Sequence, residues 1–218
     1  MARDHRVRIR TREDIAKIAM AWWLLATRRG HFFDICSFVL GPLTKLHTSK
    51  GRLDIEFYEA DYGDDPAYVS FKPLTLHVDK KIWEQASKGD PFARYVIAHE
   101  VGHILLHDEF AVAFSDEEAA RLKYVQKEES GEWQAHTFAE LFLVPDHVAL
   151  KLADADLIAG LCVVSDDLGK RRLTQAKSEK TTIAPQYEGD PCGECGSFSL
   201  LRNGPARICD TCGKANPR

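Results

Sequence analysis

The stretch RYVIAHEVGHILLH, Arg94 to His107, decides the fold of its part of the chain. At about 100° per residue on a helical wheel, His99, Glu100 and His103 fall within roughly 100° of one another. Ile97, Ala98, Val101 and Leu105 fall on the opposite side. The stretch therefore predicts a helix that buries its apolar side and turns the histidines and the carboxylate towards a cleft.

The two histidines have the spacing of a metal site. His99 and His103 are one helical turn apart, so their side chains can chelate one ion. H-E-x-x-H on a helix is the zinc-binding pattern of a large class of metallopeptidases. Glu100 falls to one side of the pair, where it can reach a water molecule next to the metal and act as the general base. The pattern predicts a catalytic zinc site.

A catalytic zinc ion needs a third protein ligand, for which several residues are candidates. His107 comes too early for the metzincin pattern, so we expect it to end the helix or to orient a ligand. The segment EWQAHTFAELFLVP, residues 132–145, predicts a second helix with a stripe of polar side chains. Glu132 is the predicted third ligand, and His136 and Glu140 are alternatives on sequence alone.

The two helical segments together resemble the ImmA/IrrE metallopeptidases. That family shows A-H-E-x-G-H-x-x-x-H followed by E-x-x-A-N-x-F-A-x-x-L-L-M-P. This chain departs from the pattern at His136, where the family has Asn, and at residues 142–145, which read FLVP. Residues 164–173 are similar to the family's V-S-x-x-A-x-x-R-L helix, and the resemblance covers residues 10–178.

The resemblance implies a zincin-like fold and assigns a role to each residue of the site. It makes His99, His103 and Glu132 the zinc ligands and Glu100 the catalytic base. It also implies a zinc-dependent endopeptidase that cleaves one regulatory protein at a specific site. The expected substrate is a helix-turn-helix repressor or an antitoxin, in phage, mobile-element or stress regulation. The donor for the oxyanion stays open among Arg94, Tyr95 and His136.

Four cysteines near the C-terminus form two C-x-x-C pairs, each followed by glycine. Four thiolates so spaced predict an all-cysteine structural zinc site, a zinc ribbon. Two disulfides, or iron in place of zinc, are the weaker alternatives. The wording CGECGSFSLLRNG also resembles cysteine-pair tails of some ribonucleotide reductases, although nothing else in the sequence supports that enzyme. The cysteines are Cys192, Cys195, Cys209 and Cys212.

Composition fits one sizeable core and a small appendage, since 44% of the 218 residues are hydrophobic. We expect an α+β metallopeptidase domain at 1–178, mostly helical with a small sheet, then a linker at 179–190 and the ribbon at 191–218. The apolar run at 19–26 is too short to span a bilayer, and no signal peptide is visible. The expected location is the cytoplasm, with a protein substrate and no membrane, and direct nucleic-acid binding is left open.

The hydrophobic periodicity predicts strands within 52–78 and several helices. Leu74, Leu76 and Val78 alternate with polar residues, and by analogy with zincins we expect residues 74–78 to be an edge strand that binds extended substrate. Cys36 and Cys162 are expected to be inert core residues. The arginine-rich start of the chain predicts a solvated strand or tail. The predicted helices are 12–28, 33–47, 80–88, 91–107, 116–128, 131–142, 146–155 and 165–178.

Two functions of other classes compete with peptide hydrolysis. One is a zinc-ribbon regulator that binds DNA and uses the peptidase domain as a scaffold. The other is a module that sequesters a repressor or antitoxin without cutting it. The intact Glu100 argues against both, because neither needs a general base.

Overall fold

The computed structural model describes residues 5–26, 28–45, 52–107, 112–113 and 127–182, and further along the chain 194, 200–203, 206–209 and 215–216. The chain divides into two units, Met1–Ala176 and Lys177–Arg218. The α+β class is confirmed: helices predominate, and they accompany a three-stranded sheet. The helix predicted at 116–128 lies outside the described residues.

The helices begin and end where local capping dictates. Thr11 and Asp14 form a capping box at the start of the first helix, and the side chains of Asp90 and Ser130 each accept a backbone N–H at the start of another. The helices are α1 (Arg12–Trp23), α2 (Ile35–Phe38, continued by a π-helical turn at Val39–Leu43), α3 (Lys80–Ser87), α4 (Pro91–Leu106), α5 (Gly131–Leu143), α6 (Asp146–Leu152), α7 (Ala155–Cys162) and α8 (Asp166–Thr182).

Several predicted boundaries were wrong. The helix predicted at 33–47 begins at Ile35, because Phe33 belongs to a strand, and its π-helical continuation ends at Leu43. Helix α1 ends at Trp23 and not at residue 28, and α8 continues to Thr182, into the segment predicted as a linker. The helix predicted at 146–155 ends at Leu152, because Ala153 adopts a left-handed conformation. Asp154 then caps the unpredicted helix α7 by accepting a hydrogen bond from the backbone of Leu157.

The main sheet consists of β4 (Asp54–Tyr58), β5 (Ala67–Phe71) and β6 (Leu74–Asp79) in the order β4-β6-β5. β6 pairs in parallel with β4 and antiparallel with β5. The prediction that residues 74–78 form an edge strand was therefore wrong, since β6 lies in the middle with partners on both sides. Alternation shows that a strand has two unlike faces, but it does not show how many neighbours the strand has.

Short two-stranded pairings complete the first unit. β1 (His5–Arg6) pairs antiparallel with β7 (Val112–Ala113), and β2 (Arg28–Arg29) pairs antiparallel with β3 (Phe32–Phe33). The arginine-rich start of the chain is thus paired, and the backbone N–H of Val7 donates to the carbonyl of Glu129 just before α5 (2.9 Å). None of the helices in the described part of the chain is long and apolar enough to cross a membrane.

Helices α4 and α5 pack closely against each other in the centre of the core. The two helices approach closely at Gly102, where an added Cβ would lie 3.0 Å from the Cα of Ala135 and 3.3 Å from the Cβ of Phe138. Any other residue here would add a Cβ in tight contact with the backbone of α5, so the glycine lets the two helices pack this closely. This approach brings the polar faces of both helices to one place.

The second unit contains an antiparallel sheet in the order β10-β9-β8, formed by β8 (Leu200–Asn203), β9 (Ala206–Cys209) and β10 (Ala215–Asn216). The predicted ligands Cys192, Cys195 and Cys212 lie outside the described residues, as does the side chain of Cys209. The zinc ribbon therefore stays a prediction.

Candidate metal centre

Helix α4 presents His99 and His103, and helix α5 presents Glu132 towards them. The Nε2 atoms of the two histidines are 3.0 Å apart. The carboxylate oxygens of Glu132 lie 3.3 Å from Nε2 of His99 and 3.4 Å from Nε2 of His103. One ligand atom from each residue lies within 4.8 Å of the others, so the three side chains that the sequence predicts as ligands could hold one metal ion.

The chemistry of this donor set fits a transition metal such as zinc. Two imidazole nitrogens and one carboxylate oxygen are a known ligand set of catalytic zinc sites. Both histidines turn Nε2 towards the carboxylate, and Nδ1 of His99 is buried with no hydrogen-bond partner among the described residues. The three side chains could therefore hold a metal ion.

The pKa values of the two acidic residues of the site are shifted in opposite directions. Burial alone would raise the pKa of Glu132, but hydrogen bonds and charge from His103 and His99 outweigh burial and lower it well below its ordinary value. Glu100 is 7% exposed, and burial, followed by the charges of Glu132 and Asp65, raises its pKa well above the ordinary value. Glu132 is thus suited to ligation as an anion, while Glu100 is suited to taking up a proton.

The alternative third ligands have other partners. Nδ1 of His136 is 2.9 Å from the hydroxyl of Tyr95, and its ring centroid is 4.3 Å from that of His99. Glu140 instead accepts two hydrogen bonds from the guanidinium of Arg171, at 3.0 and 3.2 Å. His136 therefore borders the metal centre without joining the three converging side chains, and Glu140 is held in an ion pair.

Arg94, one of the three candidates for the oxyanion donor, cannot serve in that role. It is completely buried, and its guanidinium donates hydrogen bonds to the carbonyls of Cys162, Val163 and Phe33. Cys162 and Cys36 are buried core residues as expected, and burial raises their thiol pKa values to about 11 and about 12, respectively. Tyr95 and His136 remain as candidate donors.

His107 ends α4, which was one of its two expected roles, and it also contacts the candidate ligand His103. It is 4% exposed, and its Nδ1 lies 3.0 Å from Nδ1 of His103. Its Nε2 lies 3.3 Å from Oε1 of Gln134, which is completely buried. Sequence reasoning missed Gln134. The sequence contained one indication of its importance: it is a polar residue at a position of α5 where helical spacing predicts a buried side chain.

A pocket of about 600 Å³ opens onto the converging side chains. Glu100, His107 and His136 line it together with the three candidate ligands. The rest of the lining includes aromatic and aliphatic side chains of the edge strand β5 and of the first turns of α4: Tyr68, Val69, Phe71, Phe92, Tyr95 and Val96.

No family model matches the chain. A vitamin B12-dependent ribonucleotide reductase of Bradyrhizobium diazoefficiens is 49% identical to it over 43 residues. The matched stretch is 19% of this chain and 3% of that enzyme. Because the chain spans so small a part of the reductase, the similarity reports a shared segment and does not carry the reductase activity to this protein.

Proposed function

We propose that this chain is a zinc-dependent endopeptidase of the ImmA/IrrE type. Its substrate would be a helix-turn-helix repressor or an antitoxin, cut at one site. The observation that carries the proposal is the convergence of His99, His103 and Glu132 at the pocket where Glu100 is buried with a raised pKa. These residues supply a metal-binding set and a general base, which are the two components that metal-assisted peptide hydrolysis requires.

The chain's own residues then have separate tasks. His99, His103 and Glu132 would hold zinc, which when bound supplies a Lewis acid for the water and the scissile carbonyl. Glu100 takes a proton from the attacking water and later delivers it to the leaving amine, for which its raised proton affinity is suited. Tyr95 or His136 would donate to the negative charge that develops on the carbonyl oxygen, since their mutual hydrogen bond uses one of the pair's two protons and leaves the other.

The substrate segment would bind in an extended conformation along β5. Among the described residues this strand is at the edge of the sheet, where one side of its backbone has no partner strand. β5 lines the same pocket as Glu100 and the candidate ligands. A peptide added beside β5 would therefore lie next to Glu100 and the candidate metal ligands. One of its apolar side chains would pack against Val69 and Phe71.

The test uses the repressor or antitoxin encoded beside the gene. It is incubated with zinc-loaded wild type, with Glu100→Gln and with Glu84→Gln, and fragments are identified by mass spectrometry. Glu84 is a matched control because its side chain is 72% exposed on α3, which does not line the pocket. We expect one cut with wild type and Glu84→Gln and none with Glu100→Gln, although Glu100→Gln still binds zinc.

Other outcomes discriminate the competing functions. Cutting by Glu100→Gln at the wild-type rate would contradict the role of the base. A stable complex without cutting by any form would favour sequestration, and salt-dependent DNA binding unaffected by Glu100→Gln would favour a zinc-ribbon regulator.

We further infer that Cys192, Cys195, Cys209 and Cys212 hold a second, structural zinc ion. The support is the C-x-x-C-G spacing of both pairs. Metal analysis should find two zinc ions per chain in wild type and one in His103→Ala. One zinc ion in wild type that His103→Ala retains would contradict the catalytic site, and one that His103→Ala loses would contradict the ribbon.

A further inference from the structure

The edge strand β5 has opposite charges at its two ends. Among the described residues that line the pocket, the side chains with a carboxylate or an ammonium group are Asp65, Lys72, Glu100 and Glu132. Glu100 and Glu132 belong to the proposed metal centre, which leaves Asp65 and Lys72 for other contacts. Asp65 lies two positions before β5 begins, and Lys72 directly follows the last residue of β5. One end of the strand is thus acidic and the other end is basic.

The acidic end is held beside the sheet. The backbone N–H of Asp79 donates to the carbonyl of Pro66 at 3.0 Å, so the pairing with β6 extends one residue beyond β5. The backbone carbonyl of Asp65 accepts a hydrogen bond from the hydroxyl of Tyr58. Asp65 is exposed, and its charge is among the causes that raise the pKa of Glu100. The carboxylate of Asp65 is therefore within electrostatic reach of the proposed base and accessible to a ligand.

Apolar and aromatic side chains lie between the two charges. On β5 these are Tyr68, Val69 and Phe71, and Phe92 at the start of α4 joins them in the pocket lining. Tyr68 is 44% exposed and Phe92 is 64% exposed, although both side chains are large and aromatic. Exposed aromatic groups beside a pocket favour contact with a partner. Along β5 the pocket therefore has an acidic end, an apolar middle and a basic end.

We infer that the pocket selects an extended peptide segment with a basic side chain at one end, apolar side chains in the middle and an acidic side chain at the other end. The inference rests on the proposed function, because it names the substrate class of the same site. A peptide strand beside β5 advances by about 3.3 Å per residue, as β5 does, so its residues that meet Asp65 and Lys72 lie about seven positions apart. Opposite charges at both ends give specificity, since a segment with the reverse order places like charges together.

Two peptides of identical composition test the inference. Each has blocked termini, the same apolar middle, and one lysine and one glutamate about seven positions apart. The peptides differ only in which of the two charged residues comes first. Because their net charge, length and hydrophobicity are equal, a difference in affinity reports the order of the charges. The direction in which the peptide runs along β5 decides which order is preferred.

Binding is measured by fluorescence anisotropy on the zinc-loaded full chain with Glu100→Gln, so that neither peptide is cut. We expect one order to bind more tightly, and two exposed ion pairs correspond to roughly 2–30-fold in Kd. The difference should shrink as the salt concentration rises, because salt screens exposed charges. Adding Asp65→Lys together with Lys72→Glu keeps the net charge of the chain and should reverse the preference.

The matched control exchanges the same charges outside the pocket. Asp61→Lys together with Lys81→Glu changes two exposed residues that do not line it. We expect this control to keep the preference of the parent chain. A change in preference that the control shared would overturn the inference, because it would arise from the charge of the whole chain and not from the pocket.

The remaining outcomes separate the inference from the proposed function. Equal affinity for the two orders, no binding of either peptide, or a preference that the exchange at Asp65 and Lys72 leaves unchanged would overturn the inference. Both peptides are also incubated with zinc-loaded wild type, and fragments are identified by mass spectrometry. A preference in binding without a cut in either peptide would contradict the hydrolysis alone. Cutting of both peptides at the same rate together with equal binding would contradict the inference alone.

Discussion

Replacing Gly102 by alanine should test whether the close approach of α4 and α5 determines the metal centre. The new Cβ would lie 3.0 Å from Cα and 3.1 Å from the carbonyl oxygen of Ala135. Contacts this short are tighter than packed atoms prefer, so the helices must move apart by a few tenths of an ångström. Both contacts are to backbone, which cannot rotate out of the way.

The expected change in stability can be separated into two parts. Overpacking costs about 1–3 kcal/mol, and alanine in place of glycine in a helix contributes about 1 kcal/mol of stability. The matched control is Gly160→Ala on α7, where an added Cβ meets nothing within 4 Å. Both variants gain helix propensity, so the difference between their free energies of unfolding, expected to be about 1–3 kcal/mol, measures the packing cost.

The functional consequence follows from where the contact lies. Gly102 directly precedes His103, and Ala135 is one helical turn after Glu132. Separating the helices therefore separates the candidate ligands. A misplacement of 1 Å can cost catalysis roughly 100-fold, so a shift of a few tenths of an ångström should cost less than that, and zinc affinity should weaken in Gly102→Ala alone. Denaturant unfolding and chelator competition measure the two effects. If Gly102→Ala were as stable as Gly160→Ala and bound zinc like wild type, the reasoning would be refuted.

Further predictions concern the ion pairs and thiols of the core. Burial alone would raise the pKa of Asp146, but the charge of Arg172 and hydrogen bonds from Arg12 and Arg172 lower it below 3.8. The ion pairs of Asp146 therefore stabilise the folded chain fully above about pH 4, and this stabilisation is lost as pH falls through the lowered pKa of Asp146. Asp146→Asn should cost roughly 1.5–3 kcal/mol at pH 7, a cost that shrinks in acid; a pH-independent cost in urea unfolding would contradict this. The thiols of Cys36 and Cys162, with pKa values of about 12 and about 11, should resist alkylation at pH 7 until the chain unfolds; rapid labelling of either by mass spectrometry would count against their burial.

The starts of several helices and the pairing of His99 with His103 could be predicted from the sequence, because both depend on residues that are only three or four positions apart in the chain. Thr11, Asp90 and Ser130 cap helices through backbone groups three residues away. His99 and His103 share a side of α4 through helical periodicity alone. Such features need no knowledge of how the elements pack.

Other features depended on partners that no local pattern reveals. The place of β6 in the middle of the sheet depends on β4, whose partner residues are about 20 positions away in the chain. The exclusion of Arg94 depends on carbonyls more than 60 residues distant. The buried amide of Gln134 donates a hydrogen bond to the backbone carbonyl of Arg8, at the other end of the unit. The periodicity of α5 placed several polar side chains along one stripe and could not rank them.

By itself, the sequence determined the chemistry that the site can contain: two histidines one turn apart, a carboxylate between them, and a second helix with acidic candidates. Only the tertiary structure decided which candidate joins the pair. The contact at Gly102 sets α5 so that Glu132 faces both Nε2 atoms, while Arg171 holds Glu140 and Tyr95 bonds to His136. The physical reason is that helical periodicity acts over one turn, whereas a metal site is completed by the separation and rotation of two packed helices.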